Sequence, residues 1–181
     1  AELIEKWGIS RDKISIIPNS VNSEEFSYKP RKKTIDILVV NRLVPWKHTD
    51  KVIQAAAELN LNLTIVGNGP DLEKLRDLAD KLESDVTFMG DTDRQKLVEL
   101  YLQSKLYVLN SSFELTAYSL IEAQMCGVFS ISSKNTGSSE IIHNNETGYL
   151  ITKNDTHELK DAITRYFQNI EGRVSSCQIA S

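Results

Sequence analysis

The feature that most constrains this chain is a strict alternation along its length. Short β-branched runs bounded by turn residues read as strands: "IDILVV" (35–40), "LNLTIVG" (61–67), "VTFMG" (86–90), "LYVLN" (106–110) and "VFSIS" (128–132). A further run, "ISII" (14–17), reads as a strand nearer the N-terminus. Between them lie amphipathic patterns that predict helices over 48–59, 71–82, 94–103, 117–125 and 158–167. Nearly continuous apolar strands belong to a sheet covered on both faces, and a helix between consecutive strands makes them parallel. The fold class that follows is α/β: a Rossmann-like parallel sheet with helices on both faces. At 181 residues the chain suits one such domain and is short for two. Its expected organisation is an N-terminal segment with a first strand and linker (1–34), the Rossmann-like domain (35–170) and a loose tail (171–181).

Helix starts carry local chemistry. Pro70 is expected at the first helical position, where its missing N–H costs nothing. "TDRQ" (92–95) and "DTHE" (155–158) fit capping boxes.

Composition excludes several classes. A net charge of −4 offers no basic excess to neutralise phosphates, so nucleic acid is not an expected partner. The basic run "KPRKK" (29–33) falls between strand-like segments and reads as a solvated loop. Two cysteines, Cys126 and Cys177, have no metal-ligand or CxxC spacing, which points to a reducing compartment. No apolar stretch approaches the roughly 20 residues that span a bilayer, and no signal-peptide core opens the chain. A cytoplasmic location is expected, and the sequons at Asn62, Asn110, Asn145 and Asn154 read as accidental. His48, His143 and His157 are too scattered for a metal site or a catalytic triad. Trp7 and Trp46 read as packing anchors, Trp46 also standing beside Lys47 at the expected ligand edge.

Open parallel sheets bind ligands beyond the carboxyl ends of their strands. The loops to inspect are therefore 41–47, 67–70, 90–92, 111–117 and 133–139. In "NRLVPWKH", Arg42 and Lys47 are two cations at that edge, able to neutralise a diphosphate; the alternative is a pair of ordinary surface cations. No GxGxxG or Walker sequence occurs. "GNGP" at Gly67 reads as a tight turn that also lets backbone approach a ligand. The helix expected after 111–117 would present unsatisfied amides near Ala117 and Tyr118, a ready anion site. Glu114 and Glu122 flank that start. Beside a bound diphosphate they cannot contact phosphate, so they would accept from hydroxyls of a sugar or ribose. The alternative for Glu122 is a polar stripe shared with Ser119 and facing water.

Taken in order, "ISIIPNSVNSEEF", "VVNRLVPWKH", "LTIVGNGPDLEKL", "VTFMGD", "SSFELTAYSLIEAQMCG" and "NTGSSEIIHNNETGYLI" resemble the donor-binding half of retaining group 1 glycosyltransferases, family four of the GT-B enzymes. Glu114 and Glu122 match that family's EX7E motif, and the six blocks run through 14–151, nearly the whole chain. The resemblance implies a retaining, metal-independent transferase that moves a hexosyl group from a nucleotide-diphosphate sugar to a sugar or lipid acceptor. That sugar nucleotide is a co-substrate, and no cofactor is implied. Carried onto matching positions, Arg42 and Lys47 hold the diphosphate, Glu114 meets the transferred sugar and Glu122 the ribose. Ala117 and Tyr118 meet phosphate by backbone, and the loop at Gly90 meets the base. Pro18 and Asn19 shape the floor, and Gly137 with Glu140 braces the loop over the sugar.

The chain departs from the family pattern in places. Leu115-Thr116-Ala117 stands where glycine, an aromatic and glycine are usual, which would crowd a phosphate. His48, Ser20 and Thr136 replace glycines, and Val128 replaces a frequent proline. A non-catalytic binding or scaffold module of the same fold is the alternative these changes raise. The family's second domain, which binds acceptor, does not fit in 181 residues. The resemblance thus makes this chain a C-terminal half, its partner domain lying in the same or a separate chain and leaving peripheral membrane association open.

Overall fold

The alternation is realised in the computed structural model, which describes residues 6–169 except Ile16, Pro18, Thr116, Asn144 and the side chain of Thr136. Six strands, β1 (Ile35–Val40), β2 (Leu63–Val66), β3 (Val86–Gly90), β4 (Ser104–Leu109), β5 (Phe129–Ser133) and β6 (Gly148–Ile151), form one sheet in the order β3-β2-β1-β4-β5-β6. Every neighbouring pair is parallel. The helices are α1 (Thr49–Glu58), α2 (Leu72–Lys81), α3 (Arg94–Gln103), α4 (Tyr118–Met125), α5 (Thr136–Ser139) and α6 (Thr156–Gln168).

Two cores form because alternate strand residues point to opposite faces. Ile37 and Val39 of β1 and Leu106 and Val108 of β4 pack with Ile53 of α1, Leu75 of α2 and Ile163 of α6. Leu38 of β1 and Tyr107 and Leu109 of β4 pack with Tyr101 of α3, Leu120 of α4 and Phe26 from the N-terminal segment. The expected α/β class and all five helices are present, each within two residues of its expected bounds.

Three differences have physical causes. No strand forms at Ile14, Ser15 and Ile17 (Ile16 lies outside the described residues). Ile17 is exposed, and all six sheet positions are filled by later strands. The sixth strand is instead β6, whose "GYLI" is short and follows a turn-forming cluster. Gly148 is required there, since a Cβ would stand 2.2 Å from the Ser130 carbonyl oxygen of β5. The four-residue α5 has no periodicity to reveal it and is nucleated by Asn135, whose side chain accepts from Ser138 N at 3.0 Å.

Caps also shift. Asp93, not Thr92, caps α3, accepting from Lys96 N at 2.7 Å. Asp155 caps α6 as expected, but the Glu158 carboxylate turns to the Thr152 and Lys153 amides instead of completing a box. Pro70 lies in the turn ahead of α2, whose N-cap is Asp71. Trp7 and Trp46 are 72% and 50% exposed, so neither is a packing anchor. Residues 29–32 are exposed ahead of β1, the solvated loop that the charge run predicts. The tail 171–181 lies outside the described residues.

Candidate functional site

The strand order reverses at the seam between β1 and β4, where the connections leave in opposite directions and open a crevice at the carboxyl ends. The loop after β1 is laced to the loop after β2. Asn41 N donates to Val66 O at 3.1 Å, Leu43 N to Asn68 O at 2.9 Å, and Asp71 N back to Leu43 O at 3.1 Å. This lacing explains Gly67: it sits at φ +119°, and a Cβ would stand 2.0 Å from Asn41 O. No other residue satisfies both the dihedral and the close approach. A cleft of about 620 Å³ opens here, lined by Asn41, Arg42, Gly67, Asp91, Thr92 and Leu97 among others. Asn41 Oδ1 and Thr92 Oγ1 are buried without a hydrogen-bond partner. Buried oxygens left unpaired are costly, and two at one cleft suit a ligand that brings donors.

Beside the cleft, the turn Pro45–Lys47 carries Lys47 towards the loop after β4. Lys47 Nζ pairs with Glu114 Oε1, the two side chains only 16% and 10% exposed. Ser112 N donates to Trp46 O at 2.9 Å, and the His48 ring meets Ser112 Oγ, so the loops after β1 and β4 are joined at three points. His48 takes φ 43° and ψ 37°, the left-handed region, which accounts for glycine being the usual residue there. Glu114 is held from behind as well: Gly137 N donates to Glu114 O at 3.3 Å, and a Cβ on Gly137 would stand 3.1 Å from that oxygen. Glu140 is exposed at the end of α5. Ser133 Oγ accepts from Ser111 N at 2.9 Å and donates to Asn110 Oδ1 at 3.1 Å, anchoring the same loop to β5.

Glu122 lies one turn into α4. Tyr101 OH approaches both Glu122 Oε2 and Ser119 O at 3.0 Å, and Tyr107 OH donates to Ser119 Oγ at 2.7 Å. Ser119 and Glu122 do share a stripe, which meets the buried tyrosines of α3 and β4 while both side chains stay partly exposed. Burial raises the Glu122 carboxyl above its ordinary value, opposed by the Tyr101 hydrogen bond and the Arg94 charge. Burial also pushes both phenols up, so they remain neutral donors. Leu97, which lines the cleft, stands one helical turn before Tyr101 on α3, and Val40 lines it beneath Tyr107. The Cys126 thiol, buried at the end of α4, is pushed up to about 12 and is unreactive.

The predicted residues gather at one rim. Arg42 and Gly67 line the cleft, the loop after Gly90 contributes Asp91 and Thr92, and Gly90 itself turns at φ +66°. Lys47 and Glu114 pair across the seam between the loops after β1 and β4, Glu122 is held by Tyr101 of α3, and none of the three lines the cleft itself. Ala117 caps α4 at φ −91°, so no glycine is needed there, and its methyl packs into the core instead of crowding the helix start. Tyr118, half exposed, opens the helix. Asn19 is exposed and is not among the lining residues, while Pro18 lies outside the described ones. Sequence reasoning marked the loops 41–47 and 90–92 but named neither Asn41 nor Thr92 as a site residue, and it did not single out Tyr101. Asn41 stood at a strand end and could have been marked; Tyr101 reads as an ordinary helix residue. Among the described residues no cluster of His, Cys, Asp or Glu could hold a metal ion, and no helix is long and apolar enough to cross a membrane.

The chain is similar in sequence and in fold to known proteins. The model of "Glycosyl transferases group 1" matches residues 20–175. The chain is 30% identical over 147 residues to an uncharacterized glycosyltransferase of Methanocaldococcus jannaschii, covering 76% of this chain and 37% of that protein. It is 33% identical over 131 residues to the N-acetyl-alpha-D-glucosaminyl L-malate synthase of Bacillus anthracis, covering 69% of this chain and 34% of that one. The chain thus spans little more than a third of these relatives. Its fold superimposes on Anabaena HepE, solved in complex with UDP and glucose, with a TM-score of 0.82 at 20% identity, over 99% of this chain and 55% of that one. A family model across residues 20–175 and a relative 30% identical over three quarters of its length make this chain a member of the group 1 glycosyltransferases.

Proposed function

We propose that this chain is the donor-binding, C-terminal half of a retaining, metal-independent glycosyltransferase of the family-four type, and that its cleft takes a nucleoside-diphosphate hexose. The observation that carries the reading is the seam between β1 and β4. Arg42 and Lys47 stand there with the start of α4, and Glu114 and Glu122 flank them. Positive charge suits the diphosphate, and the carboxylates suit hydroxyls on either side of it. Glu114 accepts from the sugar, Glu122 from the ribose, and the unpaired Asn41 and Thr92 oxygens receive donors deeper in the cleft. In transfer, the bond from the anomeric carbon to the diphosphate oxygen breaks as the acceptor oxygen forms its bond on the same face. The acceptor's proton passes to the departing phosphate oxygen. Arg42, Lys47 and the Tyr118 end of α4 stabilise the charge that develops on that leaving group, a contribution of a few kcal/mol per donor (~3). The acceptor is a sugar or lipid hydroxyl held by a second domain, in the same or a separate chain.

The test is a thermal-shift panel of UDP, GDP and ADP, each with and without an attached hexose. At about 100-fold excess over Kd, one of them should stabilise the chain by about 2.7 kcal/mol, roughly 5–10 °C in Tm. Glu122→Ala and Arg42→Ala should each lose most of that shift. If none of the six ligands moves Tm at millimolar concentration, the chain is a non-catalytic module that keeps the fold.

A further inference from the structure

We infer that Tyr101, a residue of α3 outside the EX7E motif, is a positioning residue that sets how strongly Glu122 selects a ribose over a sugar lacking its hydroxyls. The inference rests on the proposed role of Glu122. It begins with a limit on that side chain: a glutamate one turn into a helix has three rotatable bonds, and a diol must be met by a carboxylate already in place. Tyr101 supplies the constraint. Its ring is fully buried and fixed edge-on between Phe26 and Tyr107, at centroid distances of 6.2 and 5.9 Å. Its hydroxyl lies 3.0 Å from Glu122 Oε2 and 3.0 Å from Ser119 O. One proton serves two acceptors, and the charged oxygen takes the stronger bond. Glu122 Oε1 and the remaining lone pair of Oε2 are left to accept from outside. Because Tyr101 follows Leu97 by one turn, the same helix that walls the cleft also holds the carboxylate.

Tyr107 provides an internal control. It is equally buried and its hydroxyl also ends on α4, at Ser119 Oγ, but it makes no hydrogen bond to Glu122. Tyr101→Phe and Tyr107→Phe therefore each delete one buried phenol oxygen and keep the ring packing, while only the first releases the carboxylate.

The measurement is the affinity of the wild-type chain, Tyr101→Phe and Tyr107→Phe for UDP, GDP and ADP, each against its 2′,3′-dideoxy form. For the diphosphate that binds, the ratio between ribose and dideoxyribose forms should fall by about fivefold or more in Tyr101→Phe and stay within about twofold in Tyr107→Phe. The same ratio followed against pH gives a second readout, in which the diphosphate's own titration cancels. The groups facing Glu122 are Tyr101 and Arg94 of α3, Glu25 of the N-terminal segment, and Tyr107 and Cys126. The Tyr101 bond holds the carboxyl down, so its removal should move the midpoint of ribose selection to higher pH. A wild type that selects ribose and a Tyr101→Phe that selects it equally well would overturn the inference and leave the proposed function standing. Equal losses in both tyrosine variants would also overturn it, since the effect would then belong to α4 packing. A wild type that binds none of the diphosphates, or binds both sugar forms alike, would overturn the role of Glu122 and the inference with it.

Discussion

Lys47 and Glu114 neutralise each other across two loops, with both side chains largely buried. A diphosphate that engages Lys47 must compete with this carboxylate, so the residue proposed to grip the sugar also tempers binding of the bare nucleotide. Glu114→Gln should have two opposite effects. It leaves Lys47 without its counter-charge, lowering stability by about 1–3 kcal/mol, between the values for exposed and buried pairs. It should also tighten binding of the nucleoside diphosphate by about threefold to tenfold, because the ligand now supplies the missing charge. Denaturant unfolding and calorimetric titration check the two signs; weaker UDP, GDP and ADP binding together with unchanged stability would contradict the account. At this scale the sequence carried the residue types but not the pairings. That Glu114 and Glu122 stand at the start of a helix on the ligand rim was legible. That the partners are Lys47 and Tyr101, 67 and 21 residues away, was not.

At the scale of elements, the five longer helices were legible to within two residues, and α3 matches its expected bounds (94–103). Elements without periodicity were not: α5 depends on one asparagine side chain, and β6 depends on a glycine that only its neighbour strand makes necessary. Caps fall between these cases, since Thr92 and Asp93 are both suitable types and only geometry selects between them. Asp93→Ala should cost about 1 kcal/mol, or roughly 2–4 °C in Tm. Thr92→Ala should leave Tm unchanged or raise it, because its buried oxygen has no partner to lose. Thermal unfolding of the two variants side by side checks the assignment, and a larger loss from Thr92→Ala would reverse it.

For the molecule as a whole, the proposed division of labour predicts that the chain alone binds a sugar nucleotide but does not transfer from it. Chromatographic assay of free nucleoside diphosphate, with the tightest-binding sugar nucleotide and simple sugar or lipid acceptors, should show release no faster than background. Brisk transfer would mean that this half carries its own acceptor site. The same division bears on what was knowable before the structure. Hydrophobic period and turn chemistry act over a few residues, so the sequence by itself determined the types and order of the periodic elements from β1 to β5, the parallel sheet and the rim to which its loops belong. Strand order is a different matter. Setting β1 against β4 across an intervening 63 residues of chain is a property of the packed sheet. Setting β4 beside β1 brings Lys47 to Glu114, setting β2 beside β1 laces Gly67 against Asn41, and packing α3 against α4 leaves Tyr101 beside Glu122. Each of those contacts joins segments whose local sequences do not refer to one another, which is why tertiary packing alone could decide them.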